Sequence, residues 1–507
     1  MKKYLTIIAF SVMAILCQAQ NFSKNYVLYD DIDQGWKVLP YENGYLIQVF
    51  GKYGIPIKND FLAIFQTNNQ GELQKKMLID TLIADEVLNY KNGKLIFGAS
   101  FNQGDDFYKK LYLQQIDLNG NKIKEGKYKF SQGFHFISSL DLVNNNYYLV
   151  DQAIYSGDNY NDKIYKIDSI NILKFDSSFI YKKTITCPYK APIIFTFSTT
   201  FHSDNYIVCA LSEQDTNNYD MKHVVIAFDS MGIQKWLYIA PNNIIPFQKT
   251  DIKTIGFSNN STAILFPYIT DSFYIPQQRV LKFDSVGNIV WKYDDMSVQK
   301  EGTQEFISMF KTQNDDLVVV GHQYFVQKNE DRRTGVIMRV SKDGKLKWKR
   351  RVWDLNTPFG HSGFHNGVEL EGGSLLITGW WRDTASAPNY DTNVWLIKLD
   401  SNGCYNPGCS GDDIVASQHN IIVLSKDLLK ISPNPAPNQI LCSWSNTPSE
   451  AKYISVFDLN GVEIMKQDVT AKAGNISIDI SRVPSGVYFV KLFGDRWESS
   501  PEKIVKE

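Results

Sequence analysis

The sequence predicts an all-β protein built from repeated four-stranded sheets, and three observations carry this prediction. One short phrase recurs along the chain: an apolar strand, an Asp or Ser, a Gly turn and a second strand. A continuous apolar run precedes each copy of the phrase. Aromatic residues make up 13% of the 507 residues, and strands favour them. Self-similarity at a nearly constant period indicates a repeat architecture.

The turn glycines set the period of the repeat. In a degenerate copy at residues 175–178 we take Ser178 to fill the place of the glycine, and the steps then run from 49 to 59 residues. The Asp is expected to hydrogen-bond the turn backbone, and the Gly to take the positive-φ position of a bulged hairpin. The six turn glycines are Gly71, Gly120, Gly232, Gly287, Gly344 and Gly403.

A tryptophan follows the turn glycine by four residues in three copies, as Trp236, Trp291 and Trp348. We interpret this tryptophan as a packing residue between neighbouring sheets. The apolar runs before each phrase do not alternate with polar residues, which indicates strands that are buried on both faces.

Each repeat unit is therefore predicted to contain four strands. In the sixth unit these strands lie near residues 306–311, 317–323, 336–341 and 345–352. Seven such units packed radially predict a seven-bladed β-propeller. Six or eight blades stay open as alternatives, because the third unit is degenerate. A linear solenoid is disfavoured, because we find no polar end caps.

The seventh unit loses its fourth strand where the chain meets Cys404. Residues 25–29 are predicted to supply that strand, so that pairing of the two ends closes the ring and removes an exposed sheet edge.

Residues 21–412 loosely resemble the propeller repeats of quinoprotein-like and related secreted proteins, whose blades also carry Gly-x-x-x-Trp. Their Ala-x-Asp-x-x-Thr-Gly core is replaced here by Phe-Asp-Ser-x-Gly. The resemblance implies the fold and no cofactor.

Residues 1–20 are predicted to be an export signal. Lys2 and Lys3 precede an apolar stretch, and Gln18-Ala-Gln20 offers a small-residue cleavage region. The stretch is shorter than a membrane helix, and no later segment reaches the roughly 20 apolar residues that a span needs. The mature chain is therefore predicted to have no transmembrane span. Lipidation at Cys17 is the alternative, disfavoured by the bulky Leu16 before it.

Five cysteines remain after the signal. Cys404 and Cys409 bracket a tight turn and predict a local disulfide, which an oxidising compartment permits. Half of a metal site is the alternative, but no second cysteine pair or histidine cluster accompanies these two. The pairing of the other three stays open, and the odd number leaves at least one free thiol: Cys187, Cys209 and Cys442.

The last eighty residues predict a separate Ig-like β-sandwich, because short alternating strands and turns follow one another there. Four motifs lie in this segment: Ser432-Pro-Asn-Pro435, Phe457-Asp-Leu-Asn-Gly461, Pro484-Ser-Gly-Val-Tyr488 and Lys503-Ile-Val-Lys506. In this order they resemble the type A sorting domain of the type IX secretion system. The resemblance implies passage across the outer membrane by the type IX machinery, followed by surface attachment or release. It marks Pro433, Asn434, Pro435, Asp458, Gly461, Gly486 and Tyr488 as motif residues.

The predicted organisation is thus a signal peptide over residues 1–20, a propeller over 21–412, a linker over 413–427 and a sorting domain over 428–507. With 53 basic and 54 acidic residues, the formal net charge is −1. No global field favours nucleic acid, and no nucleic-acid partner is predicted.

The sequence contains no residue that we predict to be catalytic, cofactor-binding or metal-ligating. Serine elbows, phosphate loops and dinucleotide fingerprints are missing from the sequence. His361 and His365 are four residues apart, but Gly363 and the strand context disfavour a helical ligand pair. Trp380 and Trp381 are open to two interpretations, packing or stacking on a sugar ring, and packing is favoured.

The leading hypothesis is a non-enzymatic, exported propeller that binds a protein or glycan, because propeller loops form a rigid platform for recognition. The alternatives are an enzyme whose active site is assembled at the channel mouth from several blades, and a structural adhesin.

Overall fold

The computed structural model of the chain describes residues 21–26, 32–53, 59–79, 83–91, 93–100, 110–129, 134–154, 167–191, 194–202, 207–214, 221–240, 252–269, 276–295, 304–327, 330–354, 361–382, 392–406, 409, 413–416, 420–422, 428–445, 447, 450–458, 463–494, 499 and 501–507. Every regular element in these ranges is a β-strand. Within them, no helix has the length and hydrophobicity of a membrane span. The predicted signal peptide lies outside the described residues.

Strand β1 (Phe22–Tyr26) opens the described chain, and the following strands form four-stranded sheets in which consecutive strands are neighbours. Sheet 1 contains β2 (Ile32–Tyr41), β3 (Gly44–Tyr53), β4 (Asn59–Asn68) and β5 (Leu73–Ile79). Sheet 2 contains β6 (Ile83–Lys91), β7 (Lys94–Ser100), β8 (Lys110–Asp117) and β9 (Lys122–Lys129). Sheet 3 contains β10 (Phe134–Val143), β11 (Asn146–Ile154), β12 (Ile167–Phe175) and β13 (Tyr181–Ala191).

The next sheets repeat this order. Sheet 4 contains β14 (Ile194–Phe201), β15 (Ile207–Gln214), β16 (Met221–Phe228) and β17 (Gln234–Ile239). Sheet 5 contains β18 (Lys253–Gly256), β19 (Thr262–Ile269), β20 (Pro276–Phe283) and β21 (Ile289–Asp295). Sheet 6 contains β22 (Gln304–Lys311), β23 (Leu317–Gln327), β24 (Glu330–Val340) and β25 (Leu346–Asp354). Sheet 7 begins with β26 (His361–Glu369), β27 (Leu375–Arg382) and β28 (Asn393–Leu399).

The first strands of the sheets surround a common axis. Each of them contacts the first strand of the next sheet, and β26 of sheet 7 returns to contact β2 of sheet 1. The facing surfaces of neighbouring sheets share hydrophobic cores. One of these cores contains Val208 of sheet 4 and Ile264 of sheet 5. Sheets packed radially around an axis are the architecture of a β-propeller.

The two ends of the repeat region pair to close the ring. β1 adds to sheet 7 as its fourth strand, antiparallel to β28, with Asn25 opposite Trp395. The predicted closure by residues 25–29 is thus confirmed for Asn25 and Tyr26, and the strand already begins at Phe22. The rest of the predicted range lies outside the described residues.

The predicted linker contains two further short strands, β29 (Asp413–Ala416) and β30 (Asn420–Ile422). β29 adds in parallel to β25 at the outer edge of sheet 6, and β30 adds in parallel to β1 at the outer edge of sheet 7. This segment therefore covers two outer sheet edges in addition to joining two parts of the chain.

The turn glycines adopt the predicted positive φ, for example 94° at Gly287. The assignment of Ser178 to this position is wrong. Phe179 takes the positive φ, 67°, and its N–H donates to the Asp176 carbonyl over 2.9 Å. The reason is the geometry of the hairpin, which places the positive-φ residue three positions after the Asp whatever the side chain there.

Residues 428–507 form two sheets around a separate hydrophobic core that includes Ile440, Val456 and Ile504. One sheet contains β31 (Leu429–Ser432), β32 (Gln439–Trp444) and β35 (Gly474–Asp479). The other contains β33 (Ala451–Phe457), β34 (Glu463–Ala471), β36 (Gly486–Gly494) and β37 (Glu502–Lys506).

The predicted Cys404–Cys409 disulfide is present, with Cα atoms 5.7 Å apart. The other three cysteines are buried free thiols: Cys187, Cys209 and Cys442.

Candidate functional site

The innermost strands share an irregularity at the central axis. In five sheets one extra residue interrupts the pairing of the first strand with the second, and β6 shows a wider irregularity. A β-bulge bends its strand and redirects a side chain, and bulges are frequent next to functional sites. The bulged positions are Trp36, Ser138, Phe195, Ile307 and His365.

Two of these bulged residues contact each other across the junction of sheets 7 and 1. The rings of Trp36 and His365 lie 4.6 Å apart. Nδ1 of His365 is 3.2 Å from the carbonyl oxygen of Gly35, on the strand of its neighbour. His365 is buried, whereas Trp36 is half-buried. The pair therefore joins the first strands of two neighbouring sheets, and it leaves the Trp36 indole partly accessible.

The charge state of His365 follows from this position. The pKa of His365 is lowered to about 3, mainly by burial and in smaller part by the charges of His322 and Lys253, against the opposing bond to Gly35. Lys253 belongs to sheet 5, so its charge reaches His365 past sheet 6. The buried imidazole of His365 is therefore neutral at neutral pH.

A second interaction crosses the ring between sheets 1 and 3. Burial raises the pKa of Asp141 to about 6, and the positive charge of Lys37 opposes the rise. Lys37 directly follows the bulge of β2, and Asp141 lies on β10. The first strands of sheets 1 and 3 thus carry a lysine and a buried carboxyl group whose pKa lies in the weakly acidic range.

Side-chain hydrogen bonds join the innermost strands of neighbouring sheets and stiffen the wall. Oγ of Ser198 and Oγ1 of Thr254 are 3.1 Å apart, linking sheets 4 and 5. The Asn366 amide donates to Oγ of Ser308 and accepts from the backbone N–H of Val38, each over 3.5 Å. Asn366 thereby links sheets 6, 7 and 1.

A histidine–carboxylate pair lies beside this wall in sheet 6. Nε2 of His322 is 3.2 Å from a carboxylate oxygen of Glu305, its register partner. The His322 ring also contacts Tyr324 at 4.9 Å and Trp380 at 6.3 Å. Both ring nitrogens of His322 are buried without a hydrogen-bond partner, so the approach to Glu305 is close but does not have hydrogen-bond geometry. An imidazole beside a carboxylate can accept or donate a proton.

The histidines and tryptophans considered from the sequence have different surroundings. His361 begins β26, whereas His365 is the bulged residue of that strand, and the two are not neighbours in one ligand set. Trp380 and Trp381 are buried, as packing requires. In the part of the chain that the structure describes, no three His, Cys, Asp or Glu side chains are grouped to hold a metal ion.

The motif residues near the C-terminus come together at one edge of their unit. The Asn434 side chain donates to the carbonyl of Lys503 over 2.7 Å and accepts from the N–H of Val505 over 2.9 Å. Pro433 and Pro435 flank it, each after a cis peptide bond. The SPNP motif is therefore attached directly to the terminal strand β37.

Two further motif residues, Gly486 and Tyr488, lie on β36. The Tyr488 hydroxyl donates to the carbonyl of Pro484 over 2.8 Å, which closes the turn before β36, the strand that Gly486 begins. Asp458 follows β33, and Gly461 lies outside the described residues.

Sequence reasoning missed the side chains of the channel. Trp36, Lys37, Asp141 and Lys253 come from three different sheets and share no linear spacing. The bulges that orient some of them also have no distinct sequence signal in this chain. Of the channel residues, only His365 had been noticed, for a different reason.

Residues 430–507 match the family described as "Secretion system C-terminal sorting domain". The protein is therefore a β-propeller repeat protein that carries a type IX sorting domain at its C-terminus. Its destination is the cell surface or the extracellular space. No curated protein matches the chain.

Several solved structures are similar at low identity. An ulvan lyase from a new polysaccharide lyase family has 8% identity and a TM-score of 0.46, over 74% of this chain and 96% of that chain. The propeller domain of the trilobed protease from Pyrococcus furiosus has 10% identity and a TM-score of 0.39, over 76% and 97%. PorZ, a surface component of the type IX secretion system of Porphyromonas gingivalis, has 8% identity and a TM-score of 0.26, over 96% and 81%. With TM-scores below 0.5, these likenesses carry no argument about function.

Proposed function

We propose that this protein is an exported binding protein whose central channel holds a protein or glycan ligand. One observation carries the proposal: the half-buried indole of Trp36 at the bulge of β2, which contacts the ring of His365 at 4.6 Å on the neighbouring first strand. Five of the first strands around the axis carry a bulge, and bulges are frequent next to functional sites. The stiff hydrogen-bonded wall keeps such a site preorganised.

The wall offers complementary chemistry to a sugar. The accessible part of the half-buried Trp36 indole can pack against the apolar face of a sugar ring, and the Lys37 ammonium can donate to hydroxyl or carboxylate oxygens. Asp141 adds an acceptor or a donor according to its protonation. A protruding protein loop with an aromatic or acidic tip fits the same groups.

We further propose that the ring is a seven-bladed propeller over residues 21–412, preceded by a signal peptide over residues 1–20. The seven sheets and the return contact of β26 with β2 support this count. Residues 413–427 link this ring to an Ig-like sandwich over 428–507, for which the two sheets around one core are the support.

The type IX machinery is proposed to recognise the sorting unit through the surface that its motif residues organise. The bonds from Asn434 to the terminal strand and the Tyr488–Pro484 bond support this role. The proposed residues are Pro433, Asn434, Pro435, Asp458, Gly461, Gly486 and Tyr488.

Glycan arrays and pull-downs from washed cells test the binding function, with the mature chain as the probe. We expect a saturable ligand in one of the two assays, and binding at least about tenfold weaker for Trp36→Ala, equal to about 1.4 kcal/mol. Trp36→Phe retains an aromatic face and should recover part of the affinity. Melting temperatures of the variants show whether they remain folded. Blank results in both assays would contradict the proposal.

A second candidate function, a secreted enzyme, rests on the 3.2 Å His322–Glu305 pair. A captured glycan that the wild-type chain cleaves, and that His322→Ala binds without cleaving, would favour the enzyme. Unchanged glycan after prolonged incubation with the wild-type chain would favour binding alone.

A further inference from the structure

Sheet 6 holds an arginine in a fixed position that offers its charge to a ligand. Arg333 lies on β24, opposite Tyr324 of β23. Its guanidinium carbon is 4.3 Å from the centre of the Tyr324 ring, close enough for a cation–π interaction that holds the group in place. Arg333 is half-buried. Among the residues that the structure describes, no acidic side chain forms an ion pair with it.

Two other arginines on third strands have carboxylate partners. Arg279 on β20 donates from Nε and Nη2 to Asp294, over 2.6 Å and 3.0 Å. Arg339, on the same strand as Arg333, donates from Nε to Asp316 over 2.8 Å. The fold thus supplies a carboxylate to both of these arginines, whereas the guanidinium of Arg333 rests on an aromatic ring.

A buried histidine extends this cluster on the same face of sheet 6. His322 precedes Tyr324 by two residues on β23, so both side chains lie on one face, and their rings are 4.9 Å apart. This face is turned toward sheet 7, because a Cβ on Gly335, the register partner of His322, would lie 2.6 Å from the Phe364 ring. His322 is only 6% exposed, and both of its ring nitrogens lack a hydrogen-bond partner. Buried polar atoms are normally hydrogen-bonded, so this cluster has capacity for a polar ligand.

The two polar groups of the cluster require different partners. A guanidinium is a planar fork of donors that matches a carboxylate through two parallel hydrogen bonds. An imidazole in its neutral form has one donor and one acceptor. A sugar hydroxyl both donates and accepts, whereas the carboxylate of an acidic peptide only accepts. A uronate unit carries a carboxylate and hydroxyl groups on one ring, and therefore suits both Arg333 and His322.

We propose that Arg333 binds the carboxylate of a uronate-containing glycan, with Tyr324 orienting the guanidinium and His322 contacting a hydroxyl group of the same sugar. This inference rests on the glycan-binding function proposed above and narrows the ligand to acidic glycans. The charge of His322 influences His365, which contacts the Trp36 ring at 4.6 Å, so the cluster lies near the Trp36–His365 pair.

Isothermal titration calorimetry of the mature chain with oligosaccharides of galacturonate, glucuronate and mannuronate, each beside its methyl ester, tests the proposal. We expect at least one acid form to bind saturably and at least about tenfold more tightly than its ester, which lacks the charge. Arg333→Gln should weaken binding of that acid form at least about tenfold and leave binding of the ester unchanged. Arg333→Lys should recover only part of the affinity, because an ammonium group lacks the bidentate fork.

Lys345→Gln is the matched control, because it removes an exposed positive charge between β24 and β25 of the same sheet and should leave the affinity unchanged. An equal loss in this control would indicate non-specific attraction and overturn the proposal. Equal affinity for acids and esters, or binding of neutral glycans alone, would overturn it and leave the binding function intact.

A polyglutamate peptide separates the glycan from an acidic protein as the ligand. Arg333-dependent binding of this peptide, without binding of any uronate, would assign the cluster to an acidic protein and overturn the proposal. Absence of binding to every glycan and protein would overturn the proposed function as well. Melting temperatures show whether the variants remain folded, and the comparison of acid with ester in the wild-type chain is decisive even if one variant does not fold.

Discussion

At the scale of single residues, the turn glycines have two functions that the sequence shows only in part. Gly287 has a φ of 94°, and a Cβ atom there would lie 2.7 Å from the Trp236 ring of the preceding sheet. Gly344 and Gly403 are related in the same way to Trp291 and Trp348. The missing side chain thus permits the turn and also leaves space for the tryptophan of the sheet before.

Comparison of two alanine substitutions separates these functions. Gly372 also has a positive φ, 86°, but a Cβ there would meet nothing within 4 Å. Gly372→Ala should therefore cost only the backbone strain, about 1 kcal/mol. Gly287→Ala should cost a further 1–3 kcal/mol or so, because the added methyl group overpacks against the indole. Urea unfolding of both variants measures the difference, and equal losses would contradict the pairing of Gly287 with Trp236.

Buried titratable residues predict how stability depends on pH. His365 has its pKa lowered to about 3, while an unfolded histidine titrates near 6.5. Below about pH 6.5 the unfolded chain binds a proton that the folded chain does not, so stability falls as the pH falls toward 3. Burial of His223, whose pKa is lowered to about 4, acts in the same direction. Asp141 acts in the opposite direction, because its raised pKa of about 6 favours the folded chain at lower pH.

Two substitutions should therefore change the acid sensitivity with opposite signs. Between about pH 6 and pH 4, His365→Gln should make the loss of stability shallower, and Asp141→Asn should make it steeper. Each change is limited to about 1.4 kcal/mol per pH unit for one group. Melting temperatures across this range, compared with the wild-type chain, check both signs. Parallel profiles for all three proteins would refute the assignment of these two side chains.

At the scale of elements, the position four residues after the turn glycine joins four of the sheets to the next one, among the described residues. Lys75 and Lys124 donate to the carbonyls of Leu118 and Ser177 in the next turn, over 3.1 Å and 3.2 Å. Trp236 and Trp291 donate to the equivalent carbonyls of Ser285 and Lys342, over 3.3 Å and 2.8 Å.

The sequence predicts the tryptophans of this junction as packing residues, and their ring contacts confirm that interpretation. It does not reveal that the lysines of sheets 1 and 2 occupy the same place. Lysine and tryptophan do not look alike in a sequence comparison. Each, however, combines an apolar body with an N–H donor near its end. The third turn was assigned to the wrong residue because Phe179 adopts the positive φ that glycine adopts in the other turns.

Substitutions at Trp291 measure the strength of one junction. Trp291→Phe retains a ring but loses the donor to Lys342, and should cost about 1 kcal/mol. Trp291→Ala should cost more, about 2 kcal/mol, since truncation of a fully buried aromatic residue costs 3–5 kcal/mol and this one is half-buried. Urea unfolding gives both values. A Trp291→Ala variant as stable as the wild-type chain would show that the junction contributes nothing.

At the scale of the whole molecule, the features that could be predicted from the sequence are the local and repeated ones. Strands, turns and the C-terminal motifs each fit within about ten residues, so their signals are readable one by one. The residues around the axis are different, because Lys37 and Asp141 lie on different sheets and influence each other only once the sheets are packed. The short strands β29 and β30 were missed as well, since three or four residues carry too little periodicity to identify a strand.

Ring closure depends on segments that precede the sorting unit. Phe22 packs where a Cβ of Gly71 would lie, at 2.4 Å, and Trp395 donates its indole N–H to Ser23 over 2.9 Å. Together with β29 and β30, these contacts complete the ring before residue 428. The sorting unit, by contrast, has its own hydrophobic core. Folding of the ring and export of the chain should therefore be separable.

Two deletions test this separation. Without residues 428–507 the remaining chain should still fold, with a cooperative thermal transition, but it should accumulate in the periplasm because the sorting signal is gone. Without residues 21–26, placed after an intact export signal, sheet 7 has an open edge, and the transition should move to a lower temperature or broaden. Cell fractionation and thermal unfolding measure the two effects. Surface display of the chain that lacks 428–507 would refute the sorting role, and an unchanged melting curve without 21–26 would refute closure by β1.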